Sequence, residues 1–292
     1  MNTRLWTIRE LLKVTTDYLC KKNITSPRLN AEILLAHQLQ IDRLRLYLNL
    51  DEPLTEKEIS GYRALIRRRA ERYPLQYLTG TQEFWSLDFT VNRNVLIPRP
   101  ETEILVEQAL GIFKKDSFNT DRPMILDLCT GSGVIAIVLA KELPQSRIWA
   151  ADISSQAIEV ANLNAERHNV SDRIQFRQGD LLSSVDELSF DMIVCNPPYV
   201  AIEEYPQLPK EVRDYEPRIA LDGKKGGMFF IEKILQHAMD YLVSGGWILM
   251  EMAPLQTQHV IEYIACFKEY TNSRRIKDYG GYYRVVTAQV TH

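Results

Sequence analysis

The chain has 292 residues, 45% hydrophobic and 25% charged, with a formal net charge of −3. It can build one large core or two modest ones, and this composition excludes a disordered or fibrous chain. The charge balance excludes a globally basic surface for nucleic acid.

No apolar run approaches the ~18 residues of a membrane span. The stretch Met1 to Glu10 lacks the pattern of a signal peptide, so a reducing, cytoplasmic setting is the expectation. The four cysteines and five histidines are scattered, with neither a zinc spacing nor a disulfide framework, and no metal is expected. Residues 1–90 carry 14 Lys and Arg against 11 Asp and Glu, and the remainder 21 against 27. So weak an excess reads as solvated surface before it reads as a partner site.

Residues 4–72 read as helices. Leu5, Ile8, Leu11, Leu12, Thr15 and Leu19 recur at helical spacing. Ser26-Pro27 predicts a second helix with Ser26 as cap and an apolar face of Ala31, Ile33, Leu34, Leu35 and Leu39. Thr55 and Glu58 form a capping box for a third, running through Ile59, Leu65 and Ile66. Phe84 to Val91 then suits a short hairpin, Pro98 and Pro100 break the chain, and Glu101 to Phe113 is helical.

From residue 123 strands and helices alternate. Strands are expected at 124–128, 148–151, 174–177, 190–195 and 246–252, with helices at 133–142, 154–168, 227–242 and 256–268. The tail, 274–279 and 282–290, resembles an antiparallel pair around Gly280-Gly281. Such alternation predicts a doubly wound, largely parallel sheet whose ligands bind at the carboxyl ends of its strands.

Two motifs fall at that edge. Asp127-Leu128-Cys129-Thr130-Gly131-Ser132-Gly133 is a strand-to-helix turn in which glycines allow close backbone approach. Gly131-x-Gly133-x-x-Ala136, with Asp152 downstream, also fits a nicotinamide dinucleotide site, so the turn alone leaves two cofactors open. Asp127 favours a cationic ligand, the methionine end of S-adenosylmethionine, over a pyrophosphate. Asp152 can accept two ribose hydroxyls or serve as a helix cap, and Asp180, with Leu181 packing on the ring, is a candidate for the adenine amino group.

The second motif is Asn196-Pro197-Pro198-Tyr199. An amide nitrogen is a poor nucleophile, because its lone pair is delocalised. Holding its NH2 by both hydrogens, one on the Asn196 side-chain oxygen and one on the Pro197 carbonyl, aims the nitrogen without a strong base. Tyr199 can stack on the planar group, and the prolines stiffen the turn. The two motifs together predict methyl transfer from S-adenosylmethionine to an amide or amino nitrogen.

Outside these motifs, Arg99 is a guide for substrate carbonyls or a partner of Glu101 or Glu103. Arg67-Arg68-Arg69 is an anion site or a solvated helix face, and 200–222, with three prolines, is a candidate lid. Asp222 to Gly227 lacks the Gly-Lys-Ser/Thr of a phosphate loop and reads as a turn.

With these residues in hand, the chain resembles the PrmC/HemK family of release factor glutamine methyltransferases. The resemblance runs nearly end to end. It is carried by Asn30-Ala31-Glu32-Ile33-Leu34-Leu35, Pro74 to Gly80, Glu83-Phe84-Trp85, Leu96-Ile97-Pro98-Arg99-Pro100-Glu101-Thr102-Glu103, both motifs above, Tyr215-Glu216-Pro217 and Ser244-Gly245-Gly246. It implies a class I S-adenosylmethionine-dependent methyltransferase domain of Rossmann-like, seven-stranded, doubly wound form at 99–292. It also implies a helical substrate-recognition domain at 1–73 and a hairpin linker at 74–98.

The resemblance further implies S-adenosylhomocysteine as product and class I peptide chain release factors as partners, methylated on the glutamine of their Gly-Gly-Gln motif. No membrane and no specific nucleic acid is expected. Thr130, Gly131, Ser132, Gly133 and Asp152 are implied to contact the donor, Asn196 both donor and glutamine, and Pro197, Pro198 and Tyr199 the glutamine slot. Cys129 stands where the family commonly has glycine and fits if the backbone does not need positive φ. Leu181 stands where a large aromatic is frequent. An adenine-amino methyltransferase acting on DNA or RNA shares the second motif, but it would want a basic groove.

Overall fold

The computed structural model describes residues 6–115, 122–185 and 188–292, so Leu5 of the predicted first helix lies outside them. The chain forms two compact units, Met1–Gly80 with Pro209–Tyr215, and Thr81–Leu208 with Glu216–His292.

The first unit is helical: α1 (Ile8–Lys21), α2 (Pro27–Leu39), α3 (Arg43–Leu48), α4 (Glu56–Ala70) and α5 (Leu75–Thr79). Thr7 and Thr55 each close a capping box with the glutamate three residues on. Ile8, Leu12, Leu19, Leu34, Leu35, Leu46 and Tyr62 fill the core.

Several expectations need correction here. Ser26 sits at φ 50 and makes no side-chain cap; the Asn30 amide instead donates to the Thr25 and Ser26 carbonyls, both at 3.0 Å. On α2, Ile33 is only half-buried whereas Glu32 is buried, its carboxylate taken by Arg28, Arg43 and Tyr47. Arg69 is neither an anion site nor a solvated side chain. It is 4% exposed, donating to Asn30, to the Tyr73 carbonyl and to both oxygens of Glu211. Glu211 lies on a further helix of this unit, Lys210–Tyr215, and so the expected lid segment 200–222 is shared between the units.

The first unit also ends later than residue 73. Helix α5 extends it until Gly80, at φ 75, terminates the turn. The hairpin, β1 (Thr81–Phe84) and β2 (Leu87–Thr90), belongs to the second unit. Its turn is Trp85-Ser86, with φ of 54 and 55, the doubly left-handed geometry that matches strand twist.

The second unit carries a sheet of seven strands: β3 (Met124–Leu128), β4 (Arg147–Asp152), β5 (Ile174–Gln178), β6 (Phe190–Cys195), β7 (Leu242–Glu251), β8 (Tyr270–Lys277) and β9 (Tyr283–Val290). Their order is β5-β4-β3-β6-β7-β9-β8, with β9 antiparallel to both neighbours and the other pairings parallel. The near-continuous apolar runs of β3 and β6 suit central strands covered on both faces. On one face lie α6 (Thr102–Lys115), α7 (Val134–Glu142) and α8 (Ser155–Arg167); α7 is buried from Val134 to Ala140. On the other lie α10 (Phe229–Ala238), following the Lys210–Tyr215 helix α9, and α11 (Gln256–Ile264). Strand order reverses between β3 and β6, which leaves a crevice at their carboxyl ends.

Candidate active site

A cavity of about 300 Å³ opens at that crevice. Its wall includes Cys129, Thr130, Gly131 and Ser132 from the glycine turn, Asp152 from the end of β4, Asp180 and Leu181 beyond β5, and Asn196 and Pro198 beyond β6. The sequence motifs, up to 69 positions apart, converge because each follows a parallel strand of one sheet.

The turn is held by carboxylates. Asp127 is fully buried beneath it and does not line the cavity. Its Oδ2 accepts from Thr130 Oγ1 at 2.6 Å and from the Ala136 amide at 3.1 Å, tying the turn to the start of α7, while Oδ1 has no hydrogen-bond partner among the described residues. Burial pushes this carboxyl up to about 7, against the pull of those two bonds. Asp152 accepts from the Gly131 amide at 2.9 Å through Oδ2 and from the Ser154 amide at 2.9 Å through Oδ1. It is therefore not the cap of α8; Ser154 is, accepting from Ala157. Burial raises the Asp152 carboxyl, and the backbone amides of Ser154, Gly131 and Ile153 oppose it.

Gly131 and Gly133 are left-handed, at φ 56 and 82. Gly133 is off the cavity wall; a Cβ there would lie 3.1 Å from the side chains of Ala161 and Ile137. Position 129 does require positive φ, at 60, so cysteine carries a strain of roughly 1–2 kcal/mol that glycine avoids. Leu128 pairs with Cys195 across β3 and β6, and burial pushes the Cys195 thiol well above its ordinary value.

Beyond β6, Asn196 lines the cavity and donates from Nδ2 to Thr102 Oγ1 at 3.2 Å. Pro197 is buried, and neither it nor Tyr199 is on the wall. The Tyr199 hydroxyl donates to Glu251 Oε1 at 3.2 Å, and its carbonyl accepts from Gln256 Nε2 at 2.8 Å. Burial, with the Glu251 charge beside it, raises the Tyr199 phenol far above its ordinary range and keeps it protonated.

Arg99 is on the wall but pairs with Glu216 at 2.6 Å, not with Glu101 or Glu103; Glu103 accepts from the Trp85 amide. Asp180 is on the wall too, and its Oδ2 already accepts from Lys233 of α10 at 2.7 Å.

Sequence reasoning missed four contributors. Phe230 and Ile219 add apolar wall, and nothing in the local pattern of α10 marks Phe230 as facing a cavity. Thr102 lies inside a segment used for the family resemblance, without a role read from it. Glu251 carried a signal, a carboxylate ending an apolar strand, that went unread.

The doubly wound sheet with a glycine turn and crevice defines a methyltransferase fold. A methyltransferase from Pyrococcus furiosus superposes with a TM-score of 0.52 at 18% identity, covering 80% of this chain and 100% of that one. The hMettl16 catalytic domain gives 0.55 at 17%, covering 78% and 81%. Residues 10–80 match the PrmC N-terminal domain and residues 107–208 the methyltransferase small domain. The release factor glutamine methyltransferase of Rhodopirellula baltica is 39% identical, covering 99% of this chain and 98% of its own. That of Geobacter sulfurreducens is 43% identical, covering 88% of each. The chain belongs to the release factor glutamine methyltransferase family.

Proposed function

We propose that this protein transfers a methyl group from S-adenosylmethionine to the side-chain amide nitrogen of a glutamine, that of the Gly-Gly-Gln motif in class I peptide chain release factors, in the cytoplasm. The observation that carries the reading is the meeting of the glycine turn and Asn196 on one cavity wall. The relatives' names supply the substrate.

The residues present fit the donor. Asp127 Oδ1 is a buried carboxyl oxygen with no hydrogen-bond partner among the described residues; since Asp127 does not itself line the cavity, it suits a ligand ammonium reached through water. Asp152 keeps lone pairs for ribose hydroxyls after its two backbone bonds. Leu181 and Phe230 give apolar surface for a base, and Asp180 an acceptor for its amino group. When bound, the donor supplies an electrophilic sulfonium methyl.

The chain's own work is to hold the acceptor. Asn196 Oδ1 takes one hydrogen of the glutamine NH2 and a carbonyl of the Pro197-Pro198 turn takes the other, which fixes the nitrogen's direction. Orientation of this kind is a large rate factor when reacting atoms lie at about 3–3.5 Å. Tyr199, off the cavity wall, takes no part in proton transfer, since its hydroxyl is spent on Glu251 and stays protonated. An adenine acceptor on nucleic acid is not favoured, because the relatives are protein methyltransferases by name.

The test presents labelled donor with purified release factor, its Gln→Ala variant at Gly-Gly-Gln, or duplex DNA. Label should enter only the unaltered factor, and Asn196→Ala should abolish it. Label on DNA, or equal label on both factors, defeats the proposal.

A further inference from the structure

Two cationic side chains, Arg99 and Lys224, stand on the cavity wall. Bare positive charge there would repel a sulfonium. Each cation is met from behind by a buried carboxylate that is itself off the wall. Arg99 Nη2 donates to Glu216 Oε1 at 2.6 Å, and Lys224 Nζ lies 3.7 Å from Asp222 Oδ2.

Backbone contacts fix both carboxylates in place. The Ile97 amide donates to Glu216 Oε2 at 3.2 Å, so both oxygens of Glu216 accept, as those of an ionised carboxyl do. Asp222 Oδ1 accepts from the Lys224 amide at 3.0 Å, and its Oδ2 from Arg218 Nε at 3.3 Å. Asp222 also bridges Val200, the residue after the Asn-Pro-Pro-Tyr turn, and the Val200 amide donates to the Leu221 carbonyl at 2.9 Å. The return limb of the 200–222 segment therefore brings two neutralising groups to the back of the cavity wall. All of these residues belong to the second unit.

S-adenosylmethionine and S-adenosylhomocysteine differ by a methyl group and by one positive charge on sulfur. Both carry the same zwitterionic amino acid end, whose interactions cancel in a comparison. An unneutralised guanidinium on the wall opposes the first ligand and not the second. We propose that Glu216 is a specificity-determining residue for the donor. By neutralising Arg99 it keeps the cavity from favouring the neutral product over the cationic substrate, and Asp222 does the same for Lys224. The inference rests on the donor reading above and deepens it. Neither carboxylate lines the cavity, so neither acts by contact with the ligand.

Calorimetry with both ligands reads the charge without turnover. Glu216→Gln keeps the shape and an acceptor for the Ile97 amide, and removes the charge. It should weaken S-adenosylmethionine relative to S-adenosylhomocysteine about fivefold, the scale of a partly screened charge in a small cavity. Adding Arg99→Met to that chain should return the ratio to within about twofold of wild type. Asp222→Asn should shift the ratio the same way by about two- to threefold. Its effect is smaller because the Lys224 side chain is 52% exposed, against 31% for Arg99. Added salt should shrink both shifts.

An unchanged ratio in Glu216→Gln overturns the inference. So does an equal loss of both ligands, because the residue would then only hold the shape of the wall. A shift that survives Arg99→Met also overturns it, since the charge at fault would lie elsewhere. Thermal unfolding first establishes that each variant is folded. Should Glu216→Gln not be, Asp222→Asn and its reversal by Lys224→Met decide the matter by the same criteria. Should the wild type bind neither ligand, the donor reading fails and takes the inference with it, whereas wild-type binding with an unmoved ratio defeats the inference alone.

Discussion

Asp127→Asn removes a charge that the fold keeps away from water. The side chain is fully buried, and its two hydrogen bonds only partly offset the loss of hydration, leaving the carboxyl at about 7 against an ordinary 3.8. A difference of about three pH units corresponds to roughly 4 kcal/mol at 1.36 kcal/mol per unit. The pKa is raised on folding, so the folded chain binds this proton more tightly than the unfolded chain. Its contribution to stability is complete below the unfolded pKa and is lost as pH rises through the folded one.

Between pH 5 and 8 the wild type should therefore lose about 2–3 kcal/mol relative to Asp127→Asn, with little further change above pH 8. Urea unfolding of both ligand-free proteins, followed by tryptophan fluorescence from pH 5 to 8.5, gives the difference directly. Asp152 and Glu251 are raised as well, but both proteins keep them and the comparison cancels them. A gap that stays constant across this range, or that moves against the wild type as pH falls, would refute the reasoning.

Two further substitutions probe what holds the cavity in place. Asn164 is fully buried on α8, accepting from the Thr90 amide and donating to the Thr90 and Ser132 carbonyls. Asn164→Ala strands three backbone groups and should cost about 3 kcal/mol or more in chemical denaturation, by the cost of unmet buried hydrogen bonds. Gly227 sits at φ 73, and a Cβ there would lie 2.2 Å from the Tyr199 carbonyl oxygen, whereas Gly226, at φ 66, faces open space. Gly227→Ala should displace the Asn-Pro-Pro-Tyr turn and reduce turnover more than tenfold, while Gly226→Ala costs only the backbone strain of about 1–2 kcal/mol in thermal unfolding.

The alternation from residue 123 was legible because buried parallel strands write themselves as apolar runs; 124–128 and 190–195 emerge at the predicted bounds. Helices α3, α5 and α9 were not legible. Six, five and six residues are too few to display a period, and tertiary packing stabilises such short helices more than propensity does. The Trp85-Ser86 turn carries none of the usual left-handed residues, so its geometry is imposed by the strands it joins. Arg69 hid for a related reason. A charge run reads as solvated unless a partner buries it, and its partner Glu211 is 142 positions away.

Local patterning was enough to determine that both motifs end parallel strands of one sheet, at the edge where such sheets bind their ligands. The tertiary structure alone decided which side chains meet. Thr102 reaches Asn196 across 94 positions and Tyr199 reaches Glu251 across 52, while Pro197 and Tyr199 turn off the wall that their motif borders. Backbone propensity and hydrophobic period act over a few residues. The direction of a buried hydrogen bond depends on which distant polar groups the packed core brings within about 3 Å.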